Sequence, residues 1–332
     1  MKLIQHLCLA LILSSAVWST AEDKNGNWPQ WRGPTRDGVV ATAPWPGTLT
    51  KENFQEVWKV DLDPSYSGPI VYGDQVFVTE TVDKKQEFVR ALDRATGKEN
   101  WRVGWEGAIK VPFFARANGI WIRSTPACDG ERLYVAGIRD VLVCLDIQDG
   151  TERWKVDFVE EFKTPVPNFG FVCSPLVIGD HVYVQAGGSL AKVEKKTGNV
   201  VWRSLKDGGG MWANAFSSPL LTRIADKDQM IVQTRQKMAG VDVESGDELW
   251  SQKIEAFRGM NILTPVVYKE QLFTSAHSGR SELFAIARNE SAFSVNRVWE
   301  NKSTAYMSTP VIIGDHLYMH MKNQRFTCID LR

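Results

Sequence analysis

A strand-opening proline and a strand-closing tryptophan recur along this chain, and together they predict an all-β fold: a β-propeller of four-stranded antiparallel blades. The prolines open SGPIVYGDQVFV at 67–78, STPACDGERLYV at 124–135, CSPLVIGDHVYV at 173–184, SSPLL at 217–221, LTPVVYKEQLFT at 263–274 and STPVIIGDHLYM at 308–319. The tryptophans close ALDRATGKENW at 91–101, CLDIQDGTERW at 144–154, KVEKKTGNVVW at 192–202 and GVDVESGDELW at 240–250, with a degenerate FAIARNESAFSVNRVW at 284–299. Trp58, Trp101, Trp154, Trp202, Trp250 and Trp299 lie 43, 53, 48, 48 and 49 residues apart.

Each element of the unit has a physical reason. A proline at the first residue of a strand gives up no ladder bond that the sheet needs. Alternation such as Val182-Tyr183-Val184 marks a half-buried strand. Gly-Asp pairs (73–74, 179–180, 314–315) and Thr-Gly or Ser-Gly pairs (96–97, 197–198, 245–246) supply the positive φ of tight hairpins. Four short strands result, with Trp on the last. Such a unit cannot bury both faces alone, so units stack radially.

Trp58 sits in EVWKV at 56–60, which reads as the fourth strand of a unit lacking its first three. The last unit, 308–331, shows three strands and stops at its expected turn. Joining the two gives six blades, the amino-terminal strand completing the last and removing exposed edges. The competing reading, favoured by an end inside a unit, is truncation from a larger ring.

Residues 1–21 read as a signal peptide: Lys2, an apolar Leu7–Trp18 run, then the small-x-small Ser19-Thr20-Ala21. That run falls short of the roughly 20 residues that span a bilayer, so a periplasmic or secreted chain with no membrane span is expected. Residues 22–55, with Trp28, Trp31 and Trp45 among prolines and glycines, form an arm expected to pack on the propeller of 56–332. The 39 basic and 39 acidic residues cancel, which speaks against nucleic acid as a partner. Cys128, Cys144, Cys173 and Cys328 form no CxxC pair. Cys144 and Cys328 share a column with Ala91, Gly240 and Ala285, Lys192 being the exception, and read as small packing residues. A monomer is expected.

These units resemble the tryptophan-docking repeat of the pyrroloquinoline-quinone-type (PQQ-like) propellers over about residues 56–332. WPQWRGPTRDG at 28–38 ahead of them looks like an exported bacterial subgroup of that family. The family includes quinoprotein dehydrogenases and the outer-membrane assembly protein BamB. The resemblance implies seven or eight blades, hence that this chain is truncated from a larger parent, and a structural role for the six spaced tryptophans. Its dehydrogenases hold PQQ between a Trp and a disulfide of adjacent cysteines, beside calcium. This sequence has no adjacent Cys pair and no matching calcium set. The expectation is a non-catalytic binding or assembly platform without cofactor. The alternative is a PQQ- and calcium-dependent oxidoreductase acting on alcohols or sugars.

Ligands of propellers meet the fourth-to-first loops and the second-to-third hairpins at one mouth. Here those loops (111–126, 164–175, 207–219, 256–265, 304–310) are long for simple connections. Arg123, Arg139, Arg235, Arg258 and Arg325, with Lys237, Arg280 and Lys322, face only Asp140 among nearby acids, a pattern that attracts anions. Asn214 and Asn261 add amides, and Phe171, Trp212 and Tyr306 can stack a sugar or planar ligand or plug the channel. His277 and His320 lie on mouth hairpins without a placed carboxylate, so no catalytic residue is assigned. No HExxH, GxSxG, EF-hand or zinc spacing exists. The expected partner is a protein, or an anionic or carbohydrate ligand.

Overall fold

The computed structural model describes residues 26–40, 46–207, 215–290, 292–305 and 307–332; the leader lies outside them. Six antiparallel sheets follow chain order. Blade 1 holds β1 (Ile70–Tyr72), β2 (Gln75–Val82), β3 (Gln86–Asp93) and β4 (Glu99–Glu106). Blade 2 holds β5 (Ala127–Cys128), β6 (Arg132–Gly137), β7 (Val141–Asp146) and β8 (Glu152–Asp157), followed by the short helix α1 (Phe158–Phe162). Blade 3 holds β9 (Leu176–Ile178), β10 (His181–Ala186), β11 (Ser189–Glu194) and β12 (Val200–Ser204). Blade 4 holds β13 (Leu220–Ile224), β14 (Lys227–Gln233), β15 (Lys237–Asp242) and β16 (Glu248–Lys253). Blade 5 holds β17 (Val266–Tyr268), β18 (Gln271–Ser275), β19 (Ser281–Asn289) and β20 (Ala292–Asn301). Blade 6 holds β21 (Val311–Ile313), β22 (His316–His320) and β23 (Phe326–Asp330).

The sixth sheet keeps three strands, and segment 56–60 does not complete it. That segment forms no strand. Trp58 instead lies against Gly97 of blade 1 and donates Nε1 to the Arg94 carbonyl at 2.9 Å. Packing explains the difference. Buried apolar clusters join blades 1–2, 2–3, 3–4, 4–5 and 5–6. No cluster among the described residues joins blade 6 to blade 1, so Ile313, Phe326 and Cys328 are exposed.

The inner ends of the blades are stitched by the residue before each opening proline. Proline pushes that residue into an extended backbone and leaves its own N–H buried at a strand end, where it needs a partner. The neighbouring blade supplies a hydroxyl. Gly68 N donates to Thr125 Oγ1 (3.0 Å), Thr125 N to Ser174 Oγ (3.1 Å), and Ser174 N to Ser218 Oγ (2.9 Å). Ser218 N then donates to Thr264 Oγ1 (2.9 Å), and Thr264 N to Thr309 Oγ1 (3.2 Å).

The outer ends are stitched by tryptophan. Trp101 and Trp154 donate Nε1 to Ile147 O and Lys195 O of the next blade, both at 3.0 Å. Each indole covers a turn glycine there; a Cβ on Gly150 or Gly198, both at positive φ, would stand 2.8–2.9 Å from the ring. The small column lies opposite: Ala91, Cys144 and Gly240 face Trp101, Trp154 and Trp250 across the ladder. In blade 5 the residue facing Trp299 is Leu283 rather than Ala285. Lys192, the exception, faces Trp202. Its ammonium donates to Val243 O at 3.0 Å, the carbonyl matching those that receive the other indoles, and Trp202 Nε1 is left buried without a partner.

The arm threads the middle. Trp28 pairs with Val71 of β1, and Pro29 O accepts from Cys128 N of β5. Arg32 donates to Thr309 O (3.0 Å) and Pro310 O (2.7 Å), and Arg36 to Ser174 O (3.2 Å) and Pro175 O (2.9 Å). The first strands of blades 1 and 2 and the residues that lead into those of blades 3 and 6 therefore hold one segment. Burial pulls both guanidinium pKa values down to about 10, with Asp37 opposing it at Arg32.

Two buried carboxyls link neighbouring hairpins. Glu87 of β3 accepts from Trp105 Nε1 (2.8 Å) and Ile138 N (3.0 Å), and Asp140 accepts from Gly187 N at 2.7 Å. Burial pushes Glu87 up to about 8, against its hydrogen bonds from Ile138 and Trp105. Burial, opposed by the Gly187 amide and Arg203 and aided by Asp157, pushes Asp140 up to about 7.

Three outcomes follow. Thr264→Val removes the acceptor of a buried amide at nearly constant volume and lowers stability in urea unfolding by about 1–3 kcal/mol; no change would dismiss the hydroxyl ladder. Trp154→Phe costs about 1 kcal/mol more than Trp202→Phe, because only the first loses an Nε1 bond. Raised carboxyl pKa values stabilise the fold most below their unfolded values, and that stability is lost as pH rises through the folded ones. Melting temperature therefore falls from pH 5 to pH 9, and Glu87→Gln with Asp140→Asn flattens the slope.

Candidate functional site

The fourth-to-first loops and second-to-third hairpins meet on one face through backbone bonds. Gly107 N donates to Lys85 O (2.7 Å), Phe171 N to Ile138 O (3.1 Å), Asp207 N to Gly188 O (2.9 Å), and Phe257 N to His277 O (2.9 Å). These bonds hold each loop to the hairpin beside it.

Across this mouth runs a row of phenylalanines. Phe113 meets Phe114 edge-on at 5.5 Å, Phe114 lies 6.4 Å from Phe169, and Phe169 meets Phe216 at 5.6 Å. The row crosses the loops that follow blades 1, 2 and 3. Arg235, from the blade 4 hairpin, lays its guanidinium 5.6 Å over Phe169 and 4.9 Å over Phe216. Further round, Phe257 stands 5.8 Å from the His277 ring, with Arg258 5.1 Å over it. Phe113 is 79% exposed and Phe114 and Phe257 51% each, a grouping of large apolar side chains in water that marks a contact surface. The loops that carry these rings also hold the exposed cations Lys110, Arg116, Lys163 and Arg258.

The residues singled out from sequence divide by direction. Arg235 is buried, donating to Gly259 O (3.0 Å) and Arg258 O (2.6 Å), and Asn261 beneath it donates to Arg235 O (3.1 Å) and Ile254 O (3.2 Å). Phe171 is core, edge-on to Phe158 at 6.3 Å. Arg123 donates to Gly119 O at 3.1 Å and covers Tyr66, and burial lowers its pKa. Arg139 bonds Glu106 (3.3 Å) and Ala108 O (2.9 Å). His277 is half-buried; burial and then Lys322 depress its pKa. Arg258 and Arg325 reach solvent, on the loop after blade 4 and the hairpin of blade 6. Trp212, Asn214 and Tyr306 lie outside the described residues.

The four rings of the row, Phe113, Phe114, Phe169 and Phe216, and Phe257 beyond it escaped the sequence reading. The signal was present as aromatics inside otherwise polar loops, but loop composition alone does not separate a displayed ring from a packed one.

The cofactor implied by the dehydrogenase resemblance is not matched by the described residues. Cys128, Cys144 and Cys173 are buried thiols without disulfides, each pushed up to about 12 by burial. No three His, Cys, Asp or Glu side chains gather as a metal donor set among the described residues. Arg32 and Arg36 of the arm reach the inner strands of blades 3 and 6.

No helix among the described residues is long and apolar enough to cross a membrane. The chain is 21% identical over 260 residues to the outer membrane protein assembly factor BamB of Yersinia pestis, covering 74% of this chain and 62% of that one. It is 27% identical over 175 residues to the serine/threonine-protein kinase AfsK of Streptomyces griseus, covering 50% of this chain and 20% of that protein. The chain thus spans between a fifth and about three fifths of these relatives. The crystal structure of BamB from Moraxella catarrhalis superposes with a TM-score of 0.56 at 16% identity, over 78% of this chain and 68% of that one, which bears on fold alone. The family model described as outer membrane protein assembly factor BamB matches residues 85–332, and the chain belongs to that family of PQQ-like propellers.

Proposed function

We propose that this chain is an exported, non-catalytic assembly platform that docks a partner protein on the aromatic mouth. The observation that carries the reading is the exposed phenylalanine row on loops pinned to rigid hairpins. Rings held in place lose little entropy on binding, and buried aromatics dominate the energetics of protein interfaces. Arg235, against the row, is held by main-chain carbonyls, so it stiffens the surface rather than offering free charge. Family membership points the same way, since its described role is outer membrane protein assembly. In this reading the chain works without PQQ or calcium.

A photo-crosslinking residue placed at 113, 114 or 257 tests it in the envelope of a Gram-negative host, with exposed Val201 as the control position. One discrete protein adduct shared by the mouth positions and missing at 201 is expected. Phe113→Ser with Phe257→Ser abolishes the adduct formed from 114 while leaving the melting temperature within a few degrees. Loss of the adduct pattern, or a saturable rise in melting temperature with PQQ and calcium, would reject the platform in favour of an oxidoreductase.

A further inference from the structure

A cleft of about 1140 Å³ opens between blades 4 and 5, between their second-to-third hairpins and outer strands. It exceeds the roughly 300–1,000 Å³ of small-molecule pockets. Its origin is the degenerate fifth repeat. Blade 5 has no turn glycine after its third strand, and β19 and β20 run on as a long hairpin. Trp250, with no glycine to cover, donates Nε1 to Gln229 Oε1 of its own blade at 2.6 Å. The indole stitch that ties blades 1–2 and 2–3 at their rims is therefore missing at this junction.

One wall is Ser251, Gln252 and Lys253 of β16, continuing through Glu255. β16 is the last strand of its sheet, so its outer backbone edge has no strand partner. The opposite wall carries Arg280, Glu282, Arg297 and Lys302. Exposed or half-exposed cations outnumber acids: Lys237, Lys253, Arg280, Arg297 and Lys302 line the cleft against Glu255 and Glu282, with buried Arg235 at its floor held by main-chain carbonyls. Glu248 and Glu300 approach from its edges, pairing with Lys237 (2.5 Å), Arg280 (2.8 Å) and Arg297 (2.7 Å). Lys302 has no carboxylate partner among the described residues. Solvent-exposed pairs of this kind contribute about 0–1 kcal/mol, so an incoming carboxylate exchanges for a resident one at little cost.

We propose that this cleft binds an extended, acidic segment of a partner polypeptide, its backbone adding to the edge of β16 and its carboxylates meeting Lys253, Arg280, Arg297 and Lys302. Strand addition supplies main-chain bonds and side-chain pockets at alternate residues. A uniformly charged polyanion fits less well, because Glu255, Glu282 and Glu300 interrupt the cations and the zero net charge of the chain gives it no long-range attraction. The cleft opens on the same face as the phenylalanine row and shares Arg235 with it, but Phe113 and Phe114 do not line it, so variants at those two positions separate the sites.

The test is fluorescence anisotropy of the full chain with a labelled peptide of roughly eight residues, alternating Glu and Val, beside a Gln-Val control. Saturable binding of the acidic peptide, weakened at least about tenfold in Lys253→Glu/Lys302→Glu and retained in Phe113→Ser/Phe114→Ser, is expected. Both lysines are exposed, so an unchanged melting temperature certifies the variant. Equal binding by the charge-reversed variant, binding of the neutral peptide, or tighter binding of inorganic polyphosphate than of peptide each overturns the proposal.

Discussion

The structure depends first on a buried amide that its own sheet cannot satisfy. Each blade opens with a residue held extended by the following proline, and in blades 1–5 its N–H points at the neighbouring blade rather than into a ladder. The hydroxyls of Thr125, Ser174, Ser218, Thr264 and Thr309 take those bonds in turn. A single residue type therefore does two things: it opens its own strand and accepts from the blade before it. The ladder cannot pass from Thr309 to Gly68 by the same device, since glycine carries no hydroxyl. At that place Arg32 of the arm binds the carbonyls of Thr309 and Pro310 instead.

The rim is governed by a second, more variable bond. Where the indole finds both a turn glycine and its carbonyl, the blades lock. Lys192 shows how one side chain disturbs this: its ammonium takes the Val243 carbonyl, sits over Tyr183 at 5.8 Å, and strands the Trp202 indole. Blade 5 goes further by losing the glycine altogether, and Trp250 turns inward. Inner bonds stay uniform while rim bonds drift. Divergence at the rim leaves the axis intact, which is why the cleft between blades 4 and 5 can exist without opening the ring's centre.

Much of the fold was legible because repeats impose a period that single residues cannot hide. The prolines, the turn pairs and the Trp spacing each report a local backbone need, and those needs agree. What stayed hidden depended on partners distant in sequence. Glu87 sits in an alternating strand where its neighbours suggest a solvent face, yet it is fully buried against Ile138 and Trp105. Arg36 reads as a loop cation and is a buried donor to blade 3. Trp58 carries a strand-like context but docks without pairing, because the docking indole needs only Gly97 and a carbonyl. In the mouth the residue types were visible, but which rings and which charges face water is set by the hairpin beneath each loop.

That last point reshapes the chemistry of the mouth. Counting arginines from sequence predicts an anion trap, whereas the guanidinium groups of Arg123 and Arg235 are directed at main-chain carbonyls and aromatic faces. Guanidinium suits this use: it is weakly hydrated, planar and rich in donors, so it can lie under a ring and satisfy loop carbonyls together. The consequence is a surface whose adhesion is apolar and whose rigidity is electrostatic. Added salt screens exposed charge over about 10 Å at 0.1 M but leaves apolar contact and buried donors largely untouched. The cleft between blades 4 and 5 is the converse case, with exposed cations and a bare strand edge. One face of the propeller thus carries an apolar row and a charged cleft, and ionic strength acts more strongly on the second.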